Sequence, residues 1–402
     1  MTTVAQAEQI ILAHTKTYGT ELVPFERAVG RVLAEDIIAD RDLPPYNRAT
    51  MDGIAISFAS FLNGIRSFRL KATMAAGDTP VHITEPDECI EIMTGAAVPY
   101  TTDTVIRYED TMMKNGLVTV TTDTIKKGQN IHLKGKDKQQ GETVAKAPCI
   151  IDAAVTGMAA SAGQNMLAVK KLPKVMIIST GDELVDVSEQ PSPFQVRRSN
   201  SYTISAVLQQ HMIWADTMHL PDDLTITKER IAGCLGLYDV IILSGGISMG
   251  LFDYVPQALE ELGVTKLFHK VQQRPGKPFW FGIHNGSDTR IFAFPGNPVS
   301  GFMCLYRYFL PWLSASLDIA EAYPPYAALS CDVSFTPPLQ YYLQVMLQIS
   351  SQGQLEATPA EGNGSGDFAN LLASNAFMEL PAEQSTFARS EVYRVWPFKP
   401  IL

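Results

Sequence analysis

Cysteine is scarce in this chain: five in 402 residues, namely Cys89, Cys149, Cys234, Cys304 and Cys331. An odd count with no C-x-x-C spacing argues against a disulfide framework and against a cysteine-based zinc site. None of the seven histidines forms an H-x-x-x-H pair. Positive charge is also in deficit. Lys and Arg number 32 against 42 Asp and Glu, for a net charge of −10. Broad nucleic-acid binding needs a basic footprint that this composition lacks. A small anion held by a few local cations stays open. No apolar run reaches the roughly 18 residues of a membrane span. The first residues show no basic segment followed by an apolar core, as a signal peptide would. A soluble cytoplasmic protein is the expectation. What is present is a hydrophobic fraction of 46%, enough to bury real cores. At about 150 residues per domain, the length predicts two to four domains.

Thr3 to Thr17 reads as an amphipathic helix with Val4, Ala7 and Ile11 on one face, opened by a Thr3–Gln6 capping box. A short mixed segment from Phe25 to Ile38 follows, and two prolines break regular structure between Asp40 and Pro45. From Met51 to about Val144, short apolar runs alternate with Gly, Pro and Asp, and Leu117 to Thr122 alternates strictly, as in a β-rich module. Ala153 to Ala168 is rich in small apolar residues and predicts a closely packed helix. From Pro173 to about Leu313 the pattern is α/β. The runs Val175–Ile178, Val240–Leu243 and Ile291–Phe294 each lead into a glycine-bearing loop. That is the signature of a parallel sheet buried on both faces, whose ligands bind at the carboxyl ends of the strands. After Leu313 the chain becomes proline-rich and then strand-like, at Leu339–Ile349 and Val392–Trp396, predicting a small C-terminal β domain.

Several loops are suited to chemistry, though each alone has a plain structural reading. In Pro295-Gly296-Asn297-Pro298, Asn297 is placed as an N-cap and Pro298 as the first helical residue. Such an N-terminus attracts anions, but from this loop alone a plain capped helix is the better reading. Thr180-Gly181-Asp182-Glu183 sets two carboxylates beside flexible backbone, for a magnesium ion, a ribose or a solvated turn. Ser244-Gly245-Gly246-Ile247-Ser248-Met249-Gly250 is dense in glycine, with Asp253 entering the next helix. It has neither the lysine of a Walker A loop nor the G-x-G-x-x-G spacing, so a P-loop NTPase and a Rossmann dehydrogenase both match poorly. Arg274-Pro275-Gly276-Lys277-Pro278 fixes two cations three apart on a rigid turn, downstream of Lys270, and suits an oxyanion. In the β-rich module, Asp52 sits in an Asp-Gly turn, Thr94 follows a strand, and Asp137 lies among Lys134, Lys136 and Lys138. The last group reads best as a charged hairpin tip. Taken together, Asp52, Asp137, Glu183, Asp222 and Asp253 beside a few rigid cations are most economically explained as carboxylates holding Mg²⁺ against a phosphate. That points to phosphoryl or nucleotidyl chemistry on a small molecule, and does not name the molecule.

Seven strings then occur in order between about residue 20 and residue 381. They are LPPYNRATMDGIAI, IMTGAAVPYTTDTVIRYED, STGDEL, SGGISMG with FDY, RPGKPFWFG, FPGNPVSG, and GNGSGDF with LLASNAFMELP. In this the chain resembles the molybdopterin molybdenumtransferase family, the MoeA type, also seen as the E domain of gephyrin. The resemblance implies a multi-domain α/β plus β fold in four parts. An elongated linker domain comes from segments 1–45 and 138–170, and an inserted β-rich domain from 46–137. A central open parallel α/β sheet domain of the molybdopterin-binding type spans 171–318, and a C-terminal β-barrel-like domain 319–402. It implies a homodimer with its active site where two subunits meet, to which adenylylated molybdopterin and molybdate bind. Molybdenum enters the dithiolene and AMP is released with the help of Mg²⁺. The dithiolene sulfurs belong to the cofactor, so no protein cysteine has to be a ligand.

Carried onto this chain, the resemblance gives the pterin nucleotide to Thr180, Gly181, Asp182, Ser244, Gly245, Gly246, Pro295, Gly296, Asn297 and Pro298. Glu183, Asp222 and Asp253 become the metal and phosphate acids. Asp52, Thr94 and Asp137 complete the catalytic set from the other subunit, and Arg274, Lys277, Pro278 and Ser300 accept molybdate. Ser365 and Ser374 are further contributors. The sequence departs from the family at three positions: Arg274 where Lys is common, Lys136 where an acid is commoner, and Gln344 where an arginine is expected. A planar guanidinium is not a point charge, and Gln344 leaves one fewer cation for the oxyanion. The rival readings are a molybdopterin adenylyltransferase, which shares the α/β domain, and a catalytically weak pterin- or nucleotide-binding scaffold or regulator. A transient adenylyltransferase partner would deliver the substrate.

Overall fold

A computed structural model describes residues 1–401 apart from 249–252, 320–323, 361, 363 and 365. Met249, Gly250 and Ser365 therefore lie outside the described residues. The first helix forms where the sequence places it but is shorter, Val4–Leu12. Both halves of its Thr3–Gln6 capping box are made, and Val4, Ala7 and Ile11 are buried. Beyond Leu12 the apolar spacing that drives the helix is lost.

Two chain segments far apart in sequence then meet in one sheet, in the order Thr20–Pro24, Met166–Lys170, Val32–Leu33, Cys149–Ile150. The helix predicted to reach Ala168 ends at Ser161. Its cap is followed by Gly163 at φ +69°, and from Met166 the side chains alternate with Leu167 and Val169 inward. Pairing with Thr20–Pro24 outweighs the helical propensity of small residues there. Two short ladders, Ile37–Ile38 with Thr143–Ala145 and Arg48–Ala49 with Ile131–His132, carry the chain out to the β-rich module and back. That module is a mixed sheet of six strands between Gly53 and Val120.

The α/β part has the strand order Asp216–Leu220, Val175–Thr180, Val240–Ser244, Thr289–Phe294, Trp280–His284, Val264–His269. The first four are parallel, as expected. Trp280–His284 runs against them and Val264–His269 pairs antiparallel to it in turn, so the sheet is mixed at one edge. Residue alternation feeds two cores. Ile177, Ile242 and Phe292 pack on one face, and Ile178, Ile241, Leu243 and Ile291 on the other. Burial on both faces explains why these runs are continuously apolar. In the C-terminal part, Gln340–Ile349, Leu355–Pro359, Tyr326–Leu329, Val392–Pro397 and Ala376–Leu380 follow one another, and the last pairs back onto the first. The result is a closed five-stranded barrel, which leaves no free edge on the ring. The short strand Gln273–Arg274 joins it by pairing with Gln340–Tyr341. Among the described residues no helix is long and apolar enough to cross a membrane.

Three parts of the molecule converge on Arg307. It lies in a π-helical turn, Leu305–Phe309, between Pro298–Cys304 and Leu310–Ser316, and is 2% exposed. Its guanidinium donates twice to Glu8 of the first helix at 2.9 Å and through Nε to Tyr342 Oη at 3.1 Å. Glu379 of the barrel is 3.2 Å away, and the guanidinium lies 4.5 Å from the Trp396 ring centroid. The bidentate fork suits arginine and no other residue. Removing one member of a buried ion pair costs about 3–5 kcal/mol, since the partner charge is left behind. Arg307→Met is therefore expected to lower the thermal midpoint strongly. Adding Glu379→Gln to it should recover part of the loss, because one stranded carboxylate is then neutral. Additive effects of the two changes in differential scanning fluorimetry would show that the two groups act independently.

Candidate active site

The carboxyl ends of the parallel strands face the barrel across a cleft of about 1420 Å³. From the α/β side, Thr180, Gly181, Glu183, Asp222, Ser244, Gly245, Gly246 and Asp253 line it, together with Pro295, Gly296, Asn297, Pro298 and Ser300. Arg274, Lys277 and Pro278 line it from the turn between the domains. The sequence thus brings together residues more than a hundred positions apart, because all three loops leave adjacent strands on the same sheet edge.

The glycine loop is built for close approach. Gly245 and Gly246 have φ of +98° and +67°, and a Cβ on either would stand within 3 Å of Thr180. Thr180 Oγ1 is buried and has no hydrogen-bond partner among the described residues. Asn200 fastens this loop to the next by donating from Nδ2 to Ser244 Oγ at 2.9 Å and to Gly296 O at 2.7 Å. Pro298 begins the helix Pro298–Cys304 with Asn297 at its N-cap position, although the Asn297 side chain does not cap it. Asp253 precedes the helix Val255–Glu261 by two residues rather than entering it.

The cationic turn is held from behind by a buried amide. Gln273 is fully buried, donates from Nε2 to Gly276 O at 2.9 Å, and accepts from Tyr308 Oη. Gly276, at φ +86°, has room for no Cβ, which would meet Gln273, Met303 and Cys304 within 3 Å. Tyr308 is the neighbour of Arg307, so the pin between domains and the support of this turn share one helical turn. Gln344 lines the cleft, and its Oε1 is buried without a hydrogen-bond partner among the described residues.

Acidic charge gathers on the α/β side. Burial raises the carboxyl pKa of Asp222 above the ordinary carboxylate range, and the charges of Asp182, Glu183 and Asp253 raise it further against a hydrogen bond from the Asp182 backbone. Asp182 itself is not in the cleft wall. Its Oδ1 accepts from the Asp222 backbone N–H at 3.1 Å, which fixes the main chain that carries Asp222. No three of the His, Cys, Asp and Glu side chains among the described residues stand close enough together to hold a metal ion by themselves. Glu183, Asp222 and Asp253 share the cleft but do not form a closed cage.

Asp52, Thr94 and Asp137 are not in this cleft. They lie in the β-rich module, where Asp52 Oδ1 accepts from Thr94 N–H at 2.6 Å and from its hydroxyl at 2.7 Å. These bonds, the backbone one foremost, lower the Asp52 pKa and keep it ionised. Asp137 accepts from His132 Nε2 at 2.8 Å. Ser374 is fully buried and donates to Asn370 O, away from the cleft. Sequence reasoning also missed members of the wall. Arg197, Arg198, Ser199 and Asn200 line it just before and at the start of the helix Asn200–Gln210, with Arg198 paired to Asp186. The signal was there, as two arginines ahead of a Ser-Asn helix start. Phe335 and Tyr341 of the barrel side line it too, without a sequence cue.

Three family models match the chain: the MoeA N-terminal region (domain I and II) over residues 2–163, a probable molybdopterin binding domain over 176–315, and the MoeA C-terminal region (domain IV) over 326–398. A molybdopterin molybdenumtransferase of Synechocystis sp. is 38% identical over 98% of this chain and 99% of its own length. Another from Haemophilus influenzae is 28% identical over 95% of each. The crystal structure of a molybdopterin biosynthesis MoeA protein from Pyrococcus horikoshii is similar with a TM-score of 0.83 at 26% identity, over 99% of this chain and all of that one.

The raised pKa of Asp222 has a definite sign. Its folded carboxyl holds a proton more tightly than the unfolded one, so its stabilising contribution is full below the unfolded value and is lost as pH rises through the folded value. At neutral pH without a cation, Asp222 is a charge the fold disfavours. Asp222→Asn is expected to raise the melting temperature of the metal-free protein by about 1–3 °C at pH 7. The difference should shrink as pH falls through the carboxylate range. A lower melting temperature for the variant at pH 7 would show that the charge is already compensated.

Proposed function

Because the chain belongs to the molybdopterin molybdenumtransferase family, enzymes of molybdenum cofactor biosynthesis, we propose that it takes adenylylated molybdopterin and molybdate, inserts molybdenum into the dithiolene and releases AMP. The observation that carries this reading is a single cleft lined both by the acids Glu183, Asp222 and Asp253 and by the rigid cationic turn Arg274–Pro278. A phosphoanhydride with a bound divalent cation fits the first, and a tetrahedral dianion fits the second.

On this reading the backbone N–H groups of Gly246 and Gly296 approach the nucleotide phosphates, while Gly245, whose N–H donates to Phe294 O at 3.1 Å, keeps the loop free of a side chain. Arg274 and Lys277 draw molybdate beside the dithiolene, with Ser300 as a hydroxyl partner. When a water oxygen bonds to the pterin-side phosphorus, loses its proton to solvent and displaces AMP, the P–O bond of the anhydride breaks and charge grows on the departing AMP phosphate, where backbone N–H donors would stabilise it. Asp222 and Glu183, with Asp253, would hold Mg²⁺ jointly with phosphate oxygens. The donor set fits, being all oxygen, short of positive charge at Asp222, and incomplete without ligands from the substrate. When bound, the ion neutralises phosphate charge.

Asp52, Thr94 and Asp137 enter this scheme from a second copy of the chain in a homodimer, since their own cleft does not include them. In that role the ionised Asp52–Thr94 pair would face the partner's cleft.

The test is AMP release from adenylylated molybdopterin in Mg²⁺, with and without molybdate. Molybdate-dependent release with a molybdenum-loaded pterin is expected. Formation of the adenylylated species from ATP and pterin would make the protein an adenylyltransferase instead, and tight binding without release would make it a scaffold. Lys277→Ala should raise the molybdate concentration needed for half-maximal release by about tenfold or more, with a smaller effect on nucleotide binding. An unchanged molybdate titration would remove Lys277 from the oxyanion site.

A further inference from the structure

We propose that the barrel wall of the cleft seats the pterin ring of the substrate, with Tyr341 and Phe335 as a stacking shelf. This rests on the transferase reading above. The substrate is linear in its chemistry: a pterin bicycle, a fused ring bearing the dithiolene, a methylene, two phosphates and adenosine. The acids and glycine loops of the α/β side suit the phosphate end. The Arg274–Pro278 turn suits the oxyanion that must meet the dithiolene. The pterin then extends past Arg274, away from the α/β loops.

Two aromatic rings line the cleft beside Arg274. Phe335 and Tyr341 are stacked with centroids 4.1 Å apart and an interplanar angle of 8°, and both line the cleft. Both are half-buried and pack against the barrel core, so their orientation is set before any ligand arrives. Arg274 ties them to the cationic turn. Its guanidinium lies 5.8 Å from the Phe335 ring centroid, and its backbone is in register with Tyr341 across paired strands. An oxyanion at Arg274 and a flat heterocycle on this shelf would be neighbours, as the dithiolene and pterin are in the substrate. The cleft volume of about 1420 Å³ exceeds the roughly 300–1,000 Å³ of a usual small-molecule pocket, leaving room beyond the nucleotide. Each ring covers one face of the other and Arg274 stands over Phe335, so the face left for a planar, electron-poor heterocycle is the outer one of Tyr341, backed by Phe335; stacking there needs no specific hydrogen-bond pattern.

The full-length protein would be titrated with pterin-6-carboxylate, followed by the probe's own fluorescence, and separately with AMP by calorimetry. Tyr341→Leu and Phe335→Leu are each expected to weaken pterin binding about tenfold. Tyr341→Phe should restore it to within about twofold, and AMP binding should move by less than about twofold in all three. In the wild type, saturating AMP should leave the pterin affinity unchanged, which tests the separation of the two ends without any variant. Mutual exclusion of the two probes, pterin binding unaffected by both Leu changes, or no pterin binding to the wild type would each overturn the shelf. In any of these cases molybdate-dependent AMP release by the wild type would still stand, so the two readings fail separately.

Discussion

The buried guanidinium of Arg307 is the constraint on which the arrangement of this molecule depends. It binds the first helix through Glu8 and the barrel through Tyr342 and Glu379, and it lies against Trp396. None of these partners is a neighbour in sequence. The next residue, Tyr308, supports Gln273 and with it the cationic turn of the cleft. The π turn that presents Arg307 and Tyr308 therefore serves two ends. It fixes how the barrel sits on the α/β domain, and it fixes where Arg274 and Lys277 stand between them. Isolated π turns inside helices are uncommon and often mark sites of use.

The cleft gains its character from that docking. The α/β side alone carries the acids, with Asp222 held above its ordinary pKa by burial and by like charges. The barrel side alone offers aromatic rings and no acid among the residues named for the wall. The two together make a mixed surface that neither forms alone. Asp182 shows how one residue away from the wall can still matter, since its carboxylate fixes the main chain that carries Asp222.

Much of this was legible in the sequence, for identifiable reasons. The three strands before the glycine loops were readable because burial on both faces leaves uninterrupted β-branched runs. The Thr3–Gln6 box was readable because capping is a local interaction. The cationic turn stood out through its prolines. Local cues failed where distant pairing decides. Met166–Lys170 looks helical until Thr20–Pro24 is placed beside it, and the antiparallel edge at Trp280–His284 has no signature of its own. The roles of Glu8, Arg307 and Glu379 were invisible for the same reason. Tyr341 reads as an ordinary strand aromatic and Phe335 lies in a proline-rich connection, and only the fold brings both to the cleft shared with the loops of another domain. The placement of Asp52, Thr94 and Asp137 apart from the cleft was an expectation carried by family resemblance rather than by any spacing.

The helix Val4–Leu12 has a consequence for the order in which the molecule is made. Its apolar face lies in the same core as Ile242, Phe292 and Trp312, and its Glu8 binds Arg307. On the ribosome this helix emerges about three hundred residues before the arginine that receives it. Domains that complete early fold early during synthesis, so the linker sheet and the β-rich module can close while this helix still has no seat. A helix made about three hundred residues ahead of its partner is thus among the last elements to be docked, and because nine residues are too few to be stably helical without packing, docking is what completes it. Early and late segments of the chain are thus joined in the folded protein at a single side chain.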